Sequence, residues 1–203
     1  MRQFLVLLFL IIRSICYSQE DLIIKLAFSD KSNFDITQKF GHTRPKKYWV
    51  LNKTNSWNAT RFHLEEDITN DSIRKELEQD EHSAYNNTYL FTDSILNQLF
   101  NESQKRHLFH LAEAKQPRQL IDTFKIFSLI PSFEKARNGF FFSISDPIFT
   151  QDKQYAFIDI VTHRKDNETE DLNSSYFGTT LLIFQHFRDK GWKRIKKVDR
   201  LIL

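Results

Sequence analysis

Cysteine is nearly absent from this sequence of 203 residues, because the single one, Cys16, lies close to the N-terminus. A short leader that ends at Ser18 contains this cysteine, so the chain from Gln19 onward has no thiol. Without a thiol, residues 19–203 cannot form a disulfide framework, a zinc–thiolate site or a cysteine nucleophile. Its stability must come from packing, and the 20 phenylalanines supply the apolar volume for a core.

Glycine and proline are also scarce, with four of each. The glycines are not clustered, which excludes a glycine-rich phosphate-binding loop, and no Gly-x-Ser-x-Gly elbow of a serine hydrolase occurs. His107 and His110 are spaced for one helix face, but they lack the carboxylate of a His-Glu-x-x-His motif. We therefore expect neither a cofactor nor a metal site.

Neither sign of charge dominates. The formal net charge is +3, and it falls to +1 once the leader, with its two arginines, is set aside. A nucleic-acid-binding protein usually carries a strong basic excess, so general nucleic-acid binding is excluded. The chain is 40% hydrophobic and 27% charged, which is ordinary for a globular domain.

The N-terminal leader has the three parts of a secretory signal peptide. Arg2 gives a positive start, residues 4–12 form an apolar run, and Cys16–Ser18 supplies small residues for cleavage before Gln19. The run is too short to span a bilayer, which requires roughly 17–25 apolar residues. A lipoprotein leader is the alternative, but the bulky Ile15 before Cys16 argues against lipid attachment. We predict a cleaved signal peptide over 1–18, a secreted or periplasmic protein, and no transmembrane segment in the mature chain.

The first two thirds of the mature chain contain the predicted helices. Residues 19–69 have an irregular pattern, in which 22–28 fits a strand or a helical turn and the β-prone runs 48–51 and 61–64 predict a small hairpin. Residues 70–131 are predicted to be helical, with one segment at 70–82. The other two segments run from an N-cap at Thr92 to Ala114, and from Pro117 to Pro131.

The last third, residues 139–203, alternates between β-prone runs and turns. The runs are predicted to form four strands at about 140–145, 155–163, 179–187 and 192–203. Because their connections are short, we expect an antiparallel meander. The predicted fold is a single α+β domain over 19–203, with amphipathic helices packed on one face of a four-stranded antiparallel sheet.

Two motifs in this last third carry a resemblance. Pro147-Ile-Phe-Thr-Gln-Asp152 leads into a strand that contains Ala156, and Gly191-Trp-Lys193 opens the last strand. This pattern resembles small exported proteins of Bacteroidetes-type bacteria, which combine a Pro-Ile-Phe-Ser/Thr-x-Asp corner with a Gly-x-Trp-Lys turn. Those proteins often carry a Cys/Gly-rich loop where this chain has 167–175. The resemblance implies export and the meander, and it implies no known activity.

Three side chains of the meander are candidates for catalysis. Asp159 and His163 point to the same face of one predicted strand, because side chains alternate with a period of two. His186 on the next strand is expected to face them, which predicts a carboxylate–histidine cluster suited to acid–base chemistry. The alternative is that Asp159 and His163 mark the solvent face, opposite Ala156, Ile158 and Ile160.

The C-terminal run is the one strong charge asymmetry. It contains seven cations against Asp189 and Asp199, and its candidate binding residues are Lys193, Arg194, Lys196 and Lys197. One interpretation is contact with anionic lipid, lipopolysaccharide or an acidic partner. The other is protection of an edge strand, because lysines there discourage pairing between strands of different molecules.

Together these features predict an exported bacterial protein, of which the main hypothesis is a non-enzymatic binding or envelope-associated module. Its partner is unspecified, with a small ligand or an anionic surface as the candidates. The alternatives are a hydrolase-like enzyme that uses Asp159, His163 and His186, and a protein that binds anionic surfaces through its last strand.

Overall fold

The computed structural model describes residues 18–62, 90–122 and 125–201. The leader up to residue 17 and the predicted helix at 70–82 lie outside the described residues. None of the helices within the described ranges is long and apolar enough to cross a membrane.

The first helix, α1, spans Gln19–Ser29. Ser18 caps it, because its Oγ accepts a hydrogen bond from the Asp21 N–H at 3.0 Å. Asp30 ends α1 and caps a 3₁₀ helix, Lys31–Phe40, by accepting from the Ser32 N–H at 2.9 Å. The apolar stretch 22–28, which fitted a strand or a helical turn, is therefore helical. It buries four side chains at helical spacing: Ile23, Ile24, Ala27 and Phe28.

The sheet has seven strands: β1 Trp49–Leu51, β2 Ser128–Ile130, β3 Gly139–Ile144, β4 Ile148–Phe149, β5 Tyr155–Lys165, β6 Tyr176–Phe187 and β7 Gly191–Leu201. Their order is β2-β1-β3-β5-β6-β7, with β4 paired to β5. β1 runs parallel to β2 and β3, and the remaining pairs are antiparallel. The domain is therefore α+β with a mixed sheet.

The prediction of a four-stranded antiparallel sheet is wrong in extent. β3, β5, β6 and β7 form the expected antiparallel series, but β1, β2 and β4 enlarge the sheet. The predicted hairpin is also wrong, since β1 pairs with β2 and β3 while Ala59–Phe62 is a 3₁₀ helix. Hairpin signals are local, whereas these parallel partners lie nearly 80 or more residues away in the sequence and leave no local pattern.

The helical prediction from Pro117 to Pro131 fails for the described residues. Residues 117–122 have no helical structure, and β2 occupies Ser128–Ile130. The predicted helix from Thr92 to Ala114 is broken into α2, Ser94–Leu99, and α3, Glu102–Ala114. The break comes at Asn101, which starts α3 with a capping box: its side chain accepts from the Gln104 N–H, and the Gln104 side chain accepts from the Asn101 N–H.

Helices cover both faces of the sheet, so the prediction of helices on one face is wrong. α1 and the 3₁₀ helix Lys31–Phe40 pack on what we call the first face, against Ala156, Ile158 and Ile160. α2 and α3 pack on the second face, against a cluster that includes Phe157, Leu181 and Ile183. Central strands buried on both sides are apolar at odd and even positions alike, which conceals the second buried face in the sequence.

Candidate functional site

The structure brings Asp159 and His163 to the same face but not together. Both lie on the second face, 8% and 4% exposed, which excludes the solvent-face interpretation. Residues four apart along a strand are separated by about 13 Å, and the two side chains have different hydrogen-bond partners. His186 lies on the other side of the sheet, exposed, with its ring 5.1 Å from that of Trp192. The three predicted residues therefore do not share a site.

His163 instead belongs to a buried relay of hydrogen bonds. Its Nε2 lies 2.9 Å from Ser143 Oγ on β3, and its Nδ1 lies 3.0 Å from Ser175 Oγ. Ser175 Oγ donates to the Leu172 carbonyl at 2.6 Å, and Asn55 Nδ2 donates to Ser143 Oγ at 2.6 Å. All four bonds are satisfied when Nδ1 carries the imidazole proton and Nε2 accepts from Ser143. We call these residues, Asn55, Ser143, His163 and Ser175, the histidine relay.

The histidine relay has the connectivity of a nucleophile and base but not the accessibility. Ser143 is fully buried, so no substrate reaches its hydroxyl. Burial lowers the pKa of His163 to about 4, which keeps the imidazole neutral at pH 7 and makes it a weak base. The histidine relay attaches the loop before β6 to β3 and β5, through Ser175 and Leu172.

Asp159 belongs to a second buried polar group on the same face. Its Oδ1 lies 2.7 Å from Arg61 Nη1, and Arg61 Nη2 donates to Thr179 Oγ1 at 3.1 Å. Arg200, which pairs with Thr179 across β6 and β7, is also buried. Burial and the nearby Arg61 charge lower the pKa of Arg200 to about 10. Asp159 is therefore a counter-ion in a cationic environment, which suits a structural ion pair better than a proton donor or acceptor.

The basic C-terminal strand is largely used inside the molecule. Arg194 pairs with Asp30 at 3.0 Å on the first face, and Lys197 donates to the Ser32 carbonyl at 2.6 Å. Lys196 pairs with Asp93 on the second face. Of the four candidate residues, Lys193 is exposed and the other three are half-buried. Because β7 ends the described sheet, its cations anchor the helical layers to an edge strand.

A cationic cavity of about 350 Å³ lies beside the start of β1 and of β3. Four basic side chains line it, and in the part of the chain that the structure describes no acidic residue does so. Lys47 Nζ and the Arg137 guanidinium stand over the Trp49 ring, 4.5 and 5.4 Å from its centroid. Asn138 forms another part of the wall. We call this space the cationic cavity; its basic residues are Arg44, Lys46, Lys47 and Arg137.

A second cavity, of about 490 Å³, has the opposite character. It lies where β1 and β2 end, and Asn55 and Leu172 connect its wall to the histidine relay. Among the described residues, three carboxylates line it (Glu134, Glu170 and Asp171), together with one cation, Lys53. The two cavities lie beside the same short strand, β1, and they differ in the sign of the charged side chains that line them.

Comparisons of the whole chain with protein-family models, with curated protein sequences and with solved structures find no match. Within the described residues, no three His, Cys, Asp or Glu side chains come close enough to hold a metal ion.

Neither the histidine relay nor the cationic cavity is evident from the sequence. Ser143, Ser175 and Asn55 do not belong to a recognisable sequence motif. They come close to His163 only in the folded chain. Arg137 follows the adjacent Lys46 and Lys47 by about 90 residues, so neither segment is as strongly basic as the C-terminal run. The one available signal was Arg44-Pro-Lys-Lys47, a short cluster of cations just before Trp49.

Proposed function

We propose that this chain is an exported, non-enzymatic binding module that holds a small anionic ligand in the cationic cavity. Export is supported by the leader sequence, with its charged start, apolar run and small residues before Gln19. The ligand class is supported by the charge of the cavity, which is a property of the described side chains and does not depend on the leader.

The observation that carries the proposal is the concentration of positive charge in a concave site whose lining, among the described residues, includes no carboxylate. Arg44 forms an ion pair with Asp35, and its Nη2 donates a hydrogen bond to Gln38 Oε1 at 3.0 Å. Lys46, Lys47 and Arg137 have no acidic partner among the described residues. Like charges gathered in this way repel one another, and an anionic ligand removes that repulsion while it gains Coulomb energy with each cation.

The Trp49 ring makes the site more ordered than a set of surface lysines. Its contacts with Lys47 and Arg137 are cation–π interactions, each of which is worth roughly 0.5–1 kcal/mol at an exposed site. They hold two flexible cationic side chains over one rigid ring. A ligand that meets preordered cations loses less conformational entropy on binding, so its affinity is higher.

The two alternatives are less well supported. A hydrolase that used Asp159, His163 and His186 would need these groups in one accessible site, and they are separated. Surface binding through the last strand would need free cations there, and Arg194, Lys196 and Lys197 have partners inside the chain.

Isothermal titration calorimetry at low salt tests the ligand class. The probes are pyrophosphate and citrate, with glucose as the uncharged control. The Lys47→Gln/Arg137→Gln variant should bind both anions at least about tenfold more weakly, since each lost charge removes roughly 0.7 kcal/mol or more.

The matched control is Arg188→Gln/Lys190→Gln, which removes the same two residue types from the exposed turn between β6 and β7. It should bind like the native chain, and added salt should weaken binding to the native chain. Equal losses in both double variants, or no binding of either anion by the native chain, would show that the cationic cavity is not the ligand site.

Expression of the full sequence in a Gram-negative host tests export. We expect the protein in the periplasm or the medium, with a mature N-terminus at Gln19 by mass spectrometry. Recovery of a cytoplasmic chain that keeps the leader would contradict export and leave the ligand question to the calorimetry.

A further inference from the structure

We propose that Asn138, in the wall of the cationic cavity, is a site of spontaneous deamidation, and that the carboxylate it gains weakens anion binding. The effect on binding rests on the function proposed above. The reaction itself does not, because it depends only on Asn138, Gly139 and water.

Asn138-Gly139 is the single Asn-Gly pair in the sequence. Deamidation starts when the backbone nitrogen of the following residue attacks the asparagine Cγ, and a Cβ on that residue obstructs the approach. Gly139 has none, and the space where a Cβ would stand holds no other atom within 4 Å. Apart from the two chain neighbours, nothing therefore crowds Gly139 where a Cβ would stand.

Both residues are accessible to water. Asn138 and Gly139 are exposed, and Gly139 is the first residue of β3 with a φ of 115°, a conformation that favours glycine. One hydrogen bond restrains the side chain: Asn138 Nδ2 donates to Asn167 Oδ1 at 2.7 Å. Since this bond is exposed, water competes with it, and the amide is free to turn towards the Gly139 nitrogen.

The chemistry needs no reagent except water. The Gly139 nitrogen loses its proton and forms a bond to Asn138 Cγ, the Cγ–Nδ2 bond breaks, and the departing amide takes up the proton and leaves as ammonia. The cyclic imide then adds one water at either carbonyl, which gives aspartate or isoaspartate.

The product changes the electrostatics of the cavity. A carboxylate at 138 would stand among Arg44, Lys46, Lys47 and Arg137, where it competes with the ligand for the same cations. Anion affinity then declines as the protein ages, because the reaction is irreversible. The proposed binding site would thus carry its own slow inactivation.

The test begins with the native chain incubated in warm, mildly alkaline buffer and mapped by peptide mass spectrometry. We expect the peptide with Asn138 to gain the mass difference between an amide and an acid, and to separate into two isomers. Asn173, which is exposed in a turn and followed by Ser174, is the internal control and should stay unchanged over the same time.

Two variants then test the consequence by calorimetry with pyrophosphate. Asn138→Asp should bind about fivefold more weakly or worse, whereas Asn138→Gln should resist the reaction, so its own affinity should stay constant over an incubation that weakens binding by the native chain. The proposal is overturned if Asn138 keeps its amide while Asn173 changes, or if Asn138→Asp binds as tightly as the native chain. If the fresh native chain binds neither pyrophosphate nor citrate, the proposed function fails, and the mass map still decides whether Asn138 reacts.

Discussion

The imidazole of His163 lies flat against the phenyl ring of Phe141, with the ring centroids 4.8 Å apart and the ring planes 12° from parallel. Phe141 covers one side of the imidazole, and Ser143 and Ser175 engage its two nitrogens. A proton added here would place a charge in a buried site whose acceptor, Nε2, is already used. This is the physical reason that burial holds the pKa of His163 near 4, below its ordinary value of 6.5.

The stability of the protein should therefore fall as the solution becomes more acidic. In the unfolded chain His163 takes up a proton near pH 6.5, whereas in the folded chain it does so only near pH 4. Between these values the unfolded state binds the extra proton, so the free energy of unfolding falls as the pH falls. Above pH 6.5 the proton uptake of His163 does not reduce the free energy of unfolding. By pH 4 it has lowered that free energy by about 3 kcal/mol. Urea unfolding at several pH values across this window measures the loss.

The variant His163→Gln separates this effect from the titration of carboxylates. Its stability at pH 7 is lower, but it should lose much less stability than the native chain across the same window. His186→Gln is the control, because His186 is exposed, and its pH dependence should match the native one. A native-like pH dependence in His163→Gln would contradict the assignment.

Removal of the Asp159 charge should destabilise the fold strongly. Asp159→Asn leaves the buried Arg61 without its counter-ion and beside Arg200, and breaking a buried pair typically costs about 3 kcal/mol or more. The double variant Asp159→Asn/Arg61→Met removes the uncompensated charge and should recover part of the loss. Urea unfolding of the native chain, both single variants and the double variant gives the coupling energy. Purely additive losses would mean that Arg61 and Asp159 do not stabilise one another.

The second face should be as important for stability as the first. Phe157 is fully buried there, with its ring centroid 5.7 Å from that of Phe62 and 5.6 Å from that of Phe100. Phe157→Ala should therefore lower the free energy of unfolding by about 3–5 kcal/mol. Phe187→Ala, at a position that is 37% exposed, is the matched control and should cost less than about 1 kcal/mol. Similar losses in the two variants would contradict a core on the second face.

The proposed cleavage of the leader before Gln19 should lower the free energy of unfolding slightly, because Ser18 caps α1. A chain that begins at Gln19 lacks the Ser18 Oγ that accepts from the Asp21 N–H, and it also places an α-ammonium at the positive end of the helix. We expect it to be about 1 kcal/mol less stable than the same chain with a formyl-blocked Ser18 retained, measured by urea unfolding. Blocked chains with Ser18 and with Ser18→Ala isolate the cap. Equal stability of these two blocked chains would show that the side chain contributes nothing.

The local sequence pattern was sufficient to predict the strands that are marked by nearby turns and by alternating apolar residues. The runs at 140–145, 155–163, 179–187 and 192–203 correspond to β3, β5, β6 and β7, because turns and alternation act within about ten residues. The pattern failed for β1 and β2, three-residue strands whose parallel partners lie far away in the sequence. It also missed the break at Asn101, although the capping signal Asn101-x-x-Gln104 was present, because the apolar spacing continues on both sides.

By itself the sequence determined the α+β class, the four antiparallel strands and the scarcity of thiols and clustered glycines, since these follow from composition and from neighbours along the chain. Only the tertiary structure decided that both sheet faces are buried and that His163 meets Ser143 and Ser175 while His186 lies on the opposite side. It also decided that Arg194 and Lys196 are held in ion pairs, whereas Lys47 and Arg137 meet over Trp49. These are relationships between distant residues, fixed by strand register and by the packing of helices, and no local spacing encodes them.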